Sequence, residues 1–152
     1  ALEGVAGLVA DDRELHRSGP TYTVDTLREL RAEGGTTPLV WLLGMDAFGG
    51  LPGWHEWQAL VDLAHLAVAR RPGADLAAGG ELADLLARHS TADPAALALR
   101  PGGHVHVTDV PMLDIAATGI RAIIAAGRDA AFLTPRPVLD FIHAQKLYRD
   151  AA

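Results

Sequence analysis

Four places in the sequence put polar side chains where an α/β chain leaves a strand or enters a helix. They are Tyr22-Thr23, Gly44-Met45-Asp46, Arg70-Arg71 and residues 118–121. Their chemistry is that of a binder of hydroxyls and phosphates. Asp46 can accept hydrogen bonds from hydroxyls or amines, and Gly44 lets a ligand or another backbone come close. Arg71 offers a planar fork that fits a phosphate, although a solvated arginine pair at a strand end explains the spacing equally well. A helix starting near Thr118 presents free N–H groups and a positive dipole end, with Arg121 one turn in. On spacing alone, an ordinary capped helix is the favoured reading there. Leu51-Pro52-Gly53-Trp54-His55-Glu56-Trp57 carries two indoles into a helix. Beside a strand-end carboxylate, such rings can seat a planar heterocycle, or they can simply be core. His104 and His106 have a spacing that can bind zinc, but no third ligand stands near, so solvent-facing histidines are expected. No Ser-His-Asp, HExxH or P-loop pattern is present.

Those residues need a frame, and the hydrophobic pattern supplies one. Residues 39–43 are five apolar residues in a row, as in a strand buried on both faces. Residues 65–69 form a second such run, ended by Pro72, and residues 104–108 alternate as a strand with one wetter face. A further short strand is expected at 6–11, then a charged loop at 12–17. Thr23 is the expected N-cap of a helix whose stripe is Val24, Leu27 and Leu30, with Arg28, Glu29 and Arg31 on the wet face. Gly34-Gly35 stops it. Further helices are expected at 54–63, with Trp57, Leu60, Val61 and Ala64 inward, at 81–89, at 114–126, and from Thr134-Pro135 onward. Residues 90–103 read as irregular, with one short helix near 94–97. Strands and helices that alternate indicate an α/β parallel sheet with right-handed crossovers, whose ligands bind beyond the carboxyl ends of the strands.

The composition narrows the class. The chain has 152 residues, enough for one domain with a sizeable core. Its hydrophobic content of 49% makes it globular. A net charge of −6 argues against broad nucleic-acid or membrane-surface binding while allowing a local basic pocket. There is no cysteine, hence no disulfide framework or thiolate metal site, and a cytoplasmic setting is expected. No apolar run reaches membrane-spanning length.

Six segments in register resemble the bacterial nicotinate-nucleotide adenylyltransferases. They are Gly19-Pro20-Thr21-Tyr22-Thr23-Val24-Asp25-Thr26-Leu27, Leu43-Gly44-Met45-Asp46-Ala47-Phe48, and Leu51-Pro52-x-Trp54-His55. Ala64-His65-Leu66 with Arg70-Arg71-Pro72-Gly73, Asp114-Ile115-x-Ala117-Thr118-x-Ile120-Arg121, and Leu147-Tyr148-Arg149 complete the set. The resemblance implies a Rossmann-like nucleotidyltransferase fold, with residues 1–152 forming a single domain that is the C-terminal two-thirds to three-quarters of the family fold. It implies transfer of adenylyl from ATP to nicotinate mononucleotide, giving deamido-NAD and pyrophosphate in NAD biosynthesis, with Mg2+ accompanying ATP. It places the nicotinate by Tyr22, Thr23, Trp54 and His55, and the mononucleotide phosphate by Arg71. ATP falls to Gly44, Asp46, Ile115, Thr118 and Arg121. A homo-oligomer stays open.

Two departures from the family pattern carry expectations of their own. The family opens with Gly-Gly-Thr-Phe-Asp-Pro and a His-x-Gly-His helix that contacts the reacting phosphates, and neither occurs here. No catalytic side chain is therefore assigned. The chain as written is expected to be an N-terminally incomplete, nearly inactive form, with residues 39–43 unpaired on one side. Ala116 stands where the family has serine, removing one hydroxyl donor, at a cost of about 1–2 kcal/mol in ATP binding. The alternatives are a non-catalytic nucleotide-binding remnant, or an adenylyltransferase with another acceptor such as nicotinamide mononucleotide or phosphopantetheine.

Overall fold

The computed structural model describes residues 2, 5–70, 79–111, 113 and 115–148. It divides into two compact units, one of residues 11–112 and one of residues 1–10 with 113–152.

The larger unit is built on a three-stranded parallel sheet in the order β1 (Val40–Gly44), β2 (His65–Arg70), β3 (Val105–Asp109). The register aligns Trp41, Leu66 and Val105 on one row and Leu43, Val68 and Val107 on the next. Because side chains alternate across a strand, these rows share one face. Onto it pack Val24 and Leu27 of α1 (Thr23–Gly34), Phe48 of α2 (Met45–Gly49), Leu60 and Val61 of α3 (Ala59–Leu63), and Leu82 and Leu85 of α4 (Glu81–His89). The parallel α/β architecture read from the sequence is therefore present. The inward residues Trp57, Leu60, Val61 and Ala64 are all buried as expected.

Four local expectations are corrected. Residues 6–11 form no strand: Gly7 turns at φ 82 and Leu8 and Val9 are exposed, so this apolar run has no sheet to join. The charged loop at 12–17 contains a 3-10 turn, Arg13–His16, tied to α1 by Arg13–Glu33 bonds of 3.0 and 3.1 Å. The helix expected over 54–63 begins only at Ala59, after a 3-10 turn at Leu51–Gly53, because Glu56 takes φ 47. Strand β1 is buried on one face only: Leu42 is 70% exposed while Leu43 lies in the core. Among the described residues β1 pairs with β2 alone.

The amino end of the sheet is closed by hydrogen bonds to side chains. His65 is wholly buried; its Nδ1 accepts the backbone N–H of His104 at 3.1 Å. Its Nε2 must then carry the hydrogen, which it donates to the carbonyl of Arg100 at 2.8 Å. The same loop passes so close to β2 that a Cβ on Gly102 would lie 3.0–3.1 Å from the backbone of Ala64. Gly102→Ala is expected to lower stability by roughly 1–3 kcal/mol, the usual cost of overpacking against backbone. Urea unfolding with an unchanged midpoint would show that the loop can shift aside.

The smaller unit has α5 (Ala117–Ala125) and α6 (Arg136–Ala144), which meet through Ile124, Ala130, Leu139 and Ile142. No helix among the described residues is long and apolar enough to cross a membrane.

Candidate functional site

A cavity of about 310 Å³ opens beside the start of α1, lined by Thr21, Tyr22, Thr23, Gly53, Trp54 and His55. Two separate stretches build it. Tyr22 is the N-cap of α1, in extended backbone at φ −115, and Thr23 is the first helical residue. Thr23 was expected to be the cap, but no side chain caps this helix, which leaves the Thr23 hydroxyl free of that duty. The second stretch is the turn after Leu51-Pro52-Gly53. Its two indoles differ: Trp57 is buried in the core, while Trp54 is partly buried against that core and also lines the cavity.

The Tyr22 and His55 rings meet with centroids 4.3 Å apart and planes tilted by 33°. His55 Nε2 lies 3.2 Å from Glu56 Oε1. Glu56 in turn pairs with both terminal nitrogens of Arg28 on α1, Nη1 to Oε1 being 3.3 Å. The Arg28 guanidinium, acting first through these hydrogen bonds, holds the Glu56 carboxyl below the ordinary carboxylate range. The same bonds raise Arg28. The pair therefore stays ionised at neutral pH and is lost only as acid protonates the glutamate. An apolar cavity with one tilted ring pair, an indole and a nearby hydroxyl can hold a flat heterocycle with a polar substituent.

Gly44 ends β1 and aligns with Ala69 and Thr108 at the carboxyl edge of the sheet. A Cβ there would meet nothing within 4 Å, so the backbone is open to close approach. Asp46 stands exposed in the first turn of α2. Arg70 is turned to Asp109, with Nε–Oδ1 at 2.7 Å and Nη2–Oδ2 at 3.0 Å. Arg71, the expected phosphate ligand, lies outside the described residues, as does Asp114.

In the smaller unit the helix expected from residue 114 begins at Ala117. Ala116 is its N-cap and supplies no side-chain bond, so the position where the family pattern has serine is a capping position. Thr118 and Arg121 stand one turn apart, Arg121 Nη2 being 3.4 Å from Thr118 Oγ1. The guanidinium sits 5.9 Å from the centre of the Tyr148 ring, a cation–π contact. Ile115 is exposed just ahead of the helix.

His104 and His106 are partly buried rather than solvent-facing. His104 stacks on His65 at 5.3 Å, and His106 Nδ1 is 3.0 Å from the carbonyl of Thr91. Among the described residues no three His, Asp or Glu side chains gather as a metal site.

Thr21, Gly53, Arg28 and Glu56 were not among the expected site residues. Thr21 and Gly53 flank residues that were. Nothing in the sequence marks the left-handed turn at Glu56, since glutamate is not a residue type that favours it.

No family model matches the chain. Individual proteins do. A protein of Aeromonas salmonicida named as a probable nicotinate-nucleotide adenylyltransferase is 48% identical over 143 residues, 94% of this chain and 67% of that protein. One of the same name from Marinobacter nauticus is 48% identical over 97% of this chain and 69% of its own length. One from Pseudomonas aeruginosa is 48% identical over 98% and 70%. Among solved structures, the Plasmodium falciparum nicotinic acid mononucleotide adenylyltransferase complexed with APC superposes with a TM-score of 0.57 at 16% identity. That match covers 86% of this chain and 60% of the Plasmodium one. A second structure of that enzyme, complexed with NaAD, gives the same TM-score over 58% of its chain. The structural likeness carries the fold, a Rossmann-like nucleotidyltransferase sheet. Near-half identity across almost the whole sequence carries the family, and on that ground the chain belongs to the nicotinate-nucleotide adenylyltransferases.

Proposed function

We propose that the full-length protein carrying this chain transfers adenylyl from ATP to nicotinate mononucleotide. The cavity formed by Tyr22, Thr23, Trp54 and His55 carries the reading, because its shape and lining suit a pyridine ring with a polar substituent. The relatives' shared name gives that ring its identity. A phosphate oxygen of the mononucleotide bonds to the α-phosphorus of ATP while the bond to the β-phosphate oxygen breaks. Pyrophosphate leaves with that electron pair, and deamido-NAD remains. The protein's task is to position two mutually repelling anions in line and to meet the charge that develops. Tyr22, Thr23, Trp54 and His55 orient the acceptor, with Arg71 on its phosphate. By the family resemblance, Gly44 and Asp46 are assigned to the ATP nucleoside, and Ile115, Thr118 and Arg121 to the ATP phosphates. Mg2+ arriving with ATP would supply further charge neutralisation. The setting is cytoplasmic and the partners are small molecules, in keeping with the negative charge and the lack of cysteine.

Pyrophosphate release with ATP and each of three acceptors tests this. Nicotinate mononucleotide should be used in preference to nicotinamide mononucleotide and to phosphopantetheine. Trp54→Ala should raise KM for the mononucleotide about tenfold, the scale of one lost ring stack, and leave KM for ATP unchanged. Absence of turnover with any pyridine mononucleotide would defeat the assignment. ATP binding without turnover would point to a nucleotide-binding remnant.

A further inference from the structure

We infer that Arg28 and Glu56 form a latch that sets the spacing of the aromatic cavity, making them positioning residues for the ring it holds. The identity of that ring rests on the adenylyltransferase reading; the latch rests on geometry. Glu56 lies between His55, which lines the cavity, and Trp57, which is anchored in the core. Its φ of 47 lies in the left-handed region that glutamate adopts uncommonly. Arg28 bonds both oxygens of its carboxylate across 28 residues of sequence. His55 approaches the same carboxylate from the cavity side. Arg28 is steadied from its own helix by Asp25, 3.4 Å from Nη1.

The consequence concerns the cavity more than the fold. Tyr22 rides on the start of α1 and His55 on the turn, so the ring pair joins two independent pieces of chain. Arg28 and Glu56 join the same two pieces, Arg28 six residues from Tyr22 and Glu56 one residue from His55. Both side chains are nearly half exposed, at 45% and 46%, so the pair contributes little to global stability. What it fixes is the position of a turn whose other flank, Trp57, is buried in the core.

The test uses the full-length protein with Arg28→Ala, Glu56→Gln and the exchanged pair Arg28→Glu/Glu56→Arg. Steady-state kinetics and amide hydrogen exchange are read together. Each single change should raise KM for nicotinate mononucleotide about fivefold, the effect of one exposed but well-aligned ion pair. KM for ATP and kcat should stay within about twofold, and amides of residues 53–57 should exchange faster. The exchanged pair should recover most of both effects. Unchanged exchange in the single variants overturns the latch, and so does an exchanged pair no better than either single. A higher KM without faster exchange would mean that Arg28 acts by charge alone, which also overturns it. Faster exchange, recovered by the exchanged pair, in a protein that turns over no pyridine mononucleotide would uphold the latch and remove the substrate reading.

Discussion

Arg31→Ala is expected to cost the unit of residues 11–112 about 3 kcal/mol of stability, the scale of a broken network of charge-assisted hydrogen bonds. The pattern of α1 assigns this side chain to the wet face, and the structure corrects that. Its guanidinium is spent on backbone carbonyls. Nε and Nη2 donate to Leu63 at 3.0 and 2.6 Å, and Nη1 donates to Gly35 and Thr37 at 2.9 and 2.6 Å. Nη2 also reaches Pro101 at 2.6 Å. One side chain thus ties the end of α3, the turn after α1 and the loop ahead of β3 to a single point. Alanine would leave those acceptors to whatever water can reach them. Lysine has three donors and no planar fork, so Arg31→Lys should recover less than half of the loss. Equilibrium urea unfolding measures both. A loss under about 1 kcal/mol for alanine would mean that water replaces the guanidinium well, and that the network is ornamental.

Arg121→Ala carries the largest expected effect on turnover, a fall in kcat/KM of about 100-fold. This is the scale of removing one preorganised donor from a transferring phosphoryl group. Thr118 and the Tyr148 ring hold Arg121 without neutralising it, since a hydroxyl and a π face leave its charge in place. On the adenylyltransferase reading that charge faces the ATP phosphates. The N-cap just ahead gives a contrasting arm. Ala116→Ser restores a hydroxyl to an uncapped helix start, and should stabilise the helix by about 1 kcal/mol. It should also lower KM for ATP severalfold. Arg121→Ala with full kcat/KM would take this helix out of the ATP site. Unchanged KM for ATP in Ala116→Ser would mean that the hydroxyl serves the helix alone.

Much of the candidate site was legible because it lies where local rules are strong. Gly44 ends a strand, Trp54 follows a Pro-Gly turn, and Thr118 opens a helix. Each of these depends on neighbours a few residues away, and each appears in the structure close to its expected place. The misses share a cause. Residues 6–11 have the residue types of a strand, but a strand also needs an edge to pair with. Trp54 and Trp57 are the same residue three positions apart, and only packing decides that Trp57 is fully core while Trp54 keeps one side on a cavity.

The sequence by itself determined the alternation of strands and helices from α1 onward, the parallel sheet, the polar groups at strand ends and helix starts, and, through six segments in register, the family. Those follow from hydrophobic period, turn chemistry and residue identity, which are properties of short stretches. Only the tertiary structure decided which face of β1 is covered, where Arg31 spends its donors, and that the Tyr22 ring meets His55 while Arg28 holds Glu56. Such pairings join residues about thirty positions apart or more. They depend on how packed elements aim their side chains at one another, which no local pattern records.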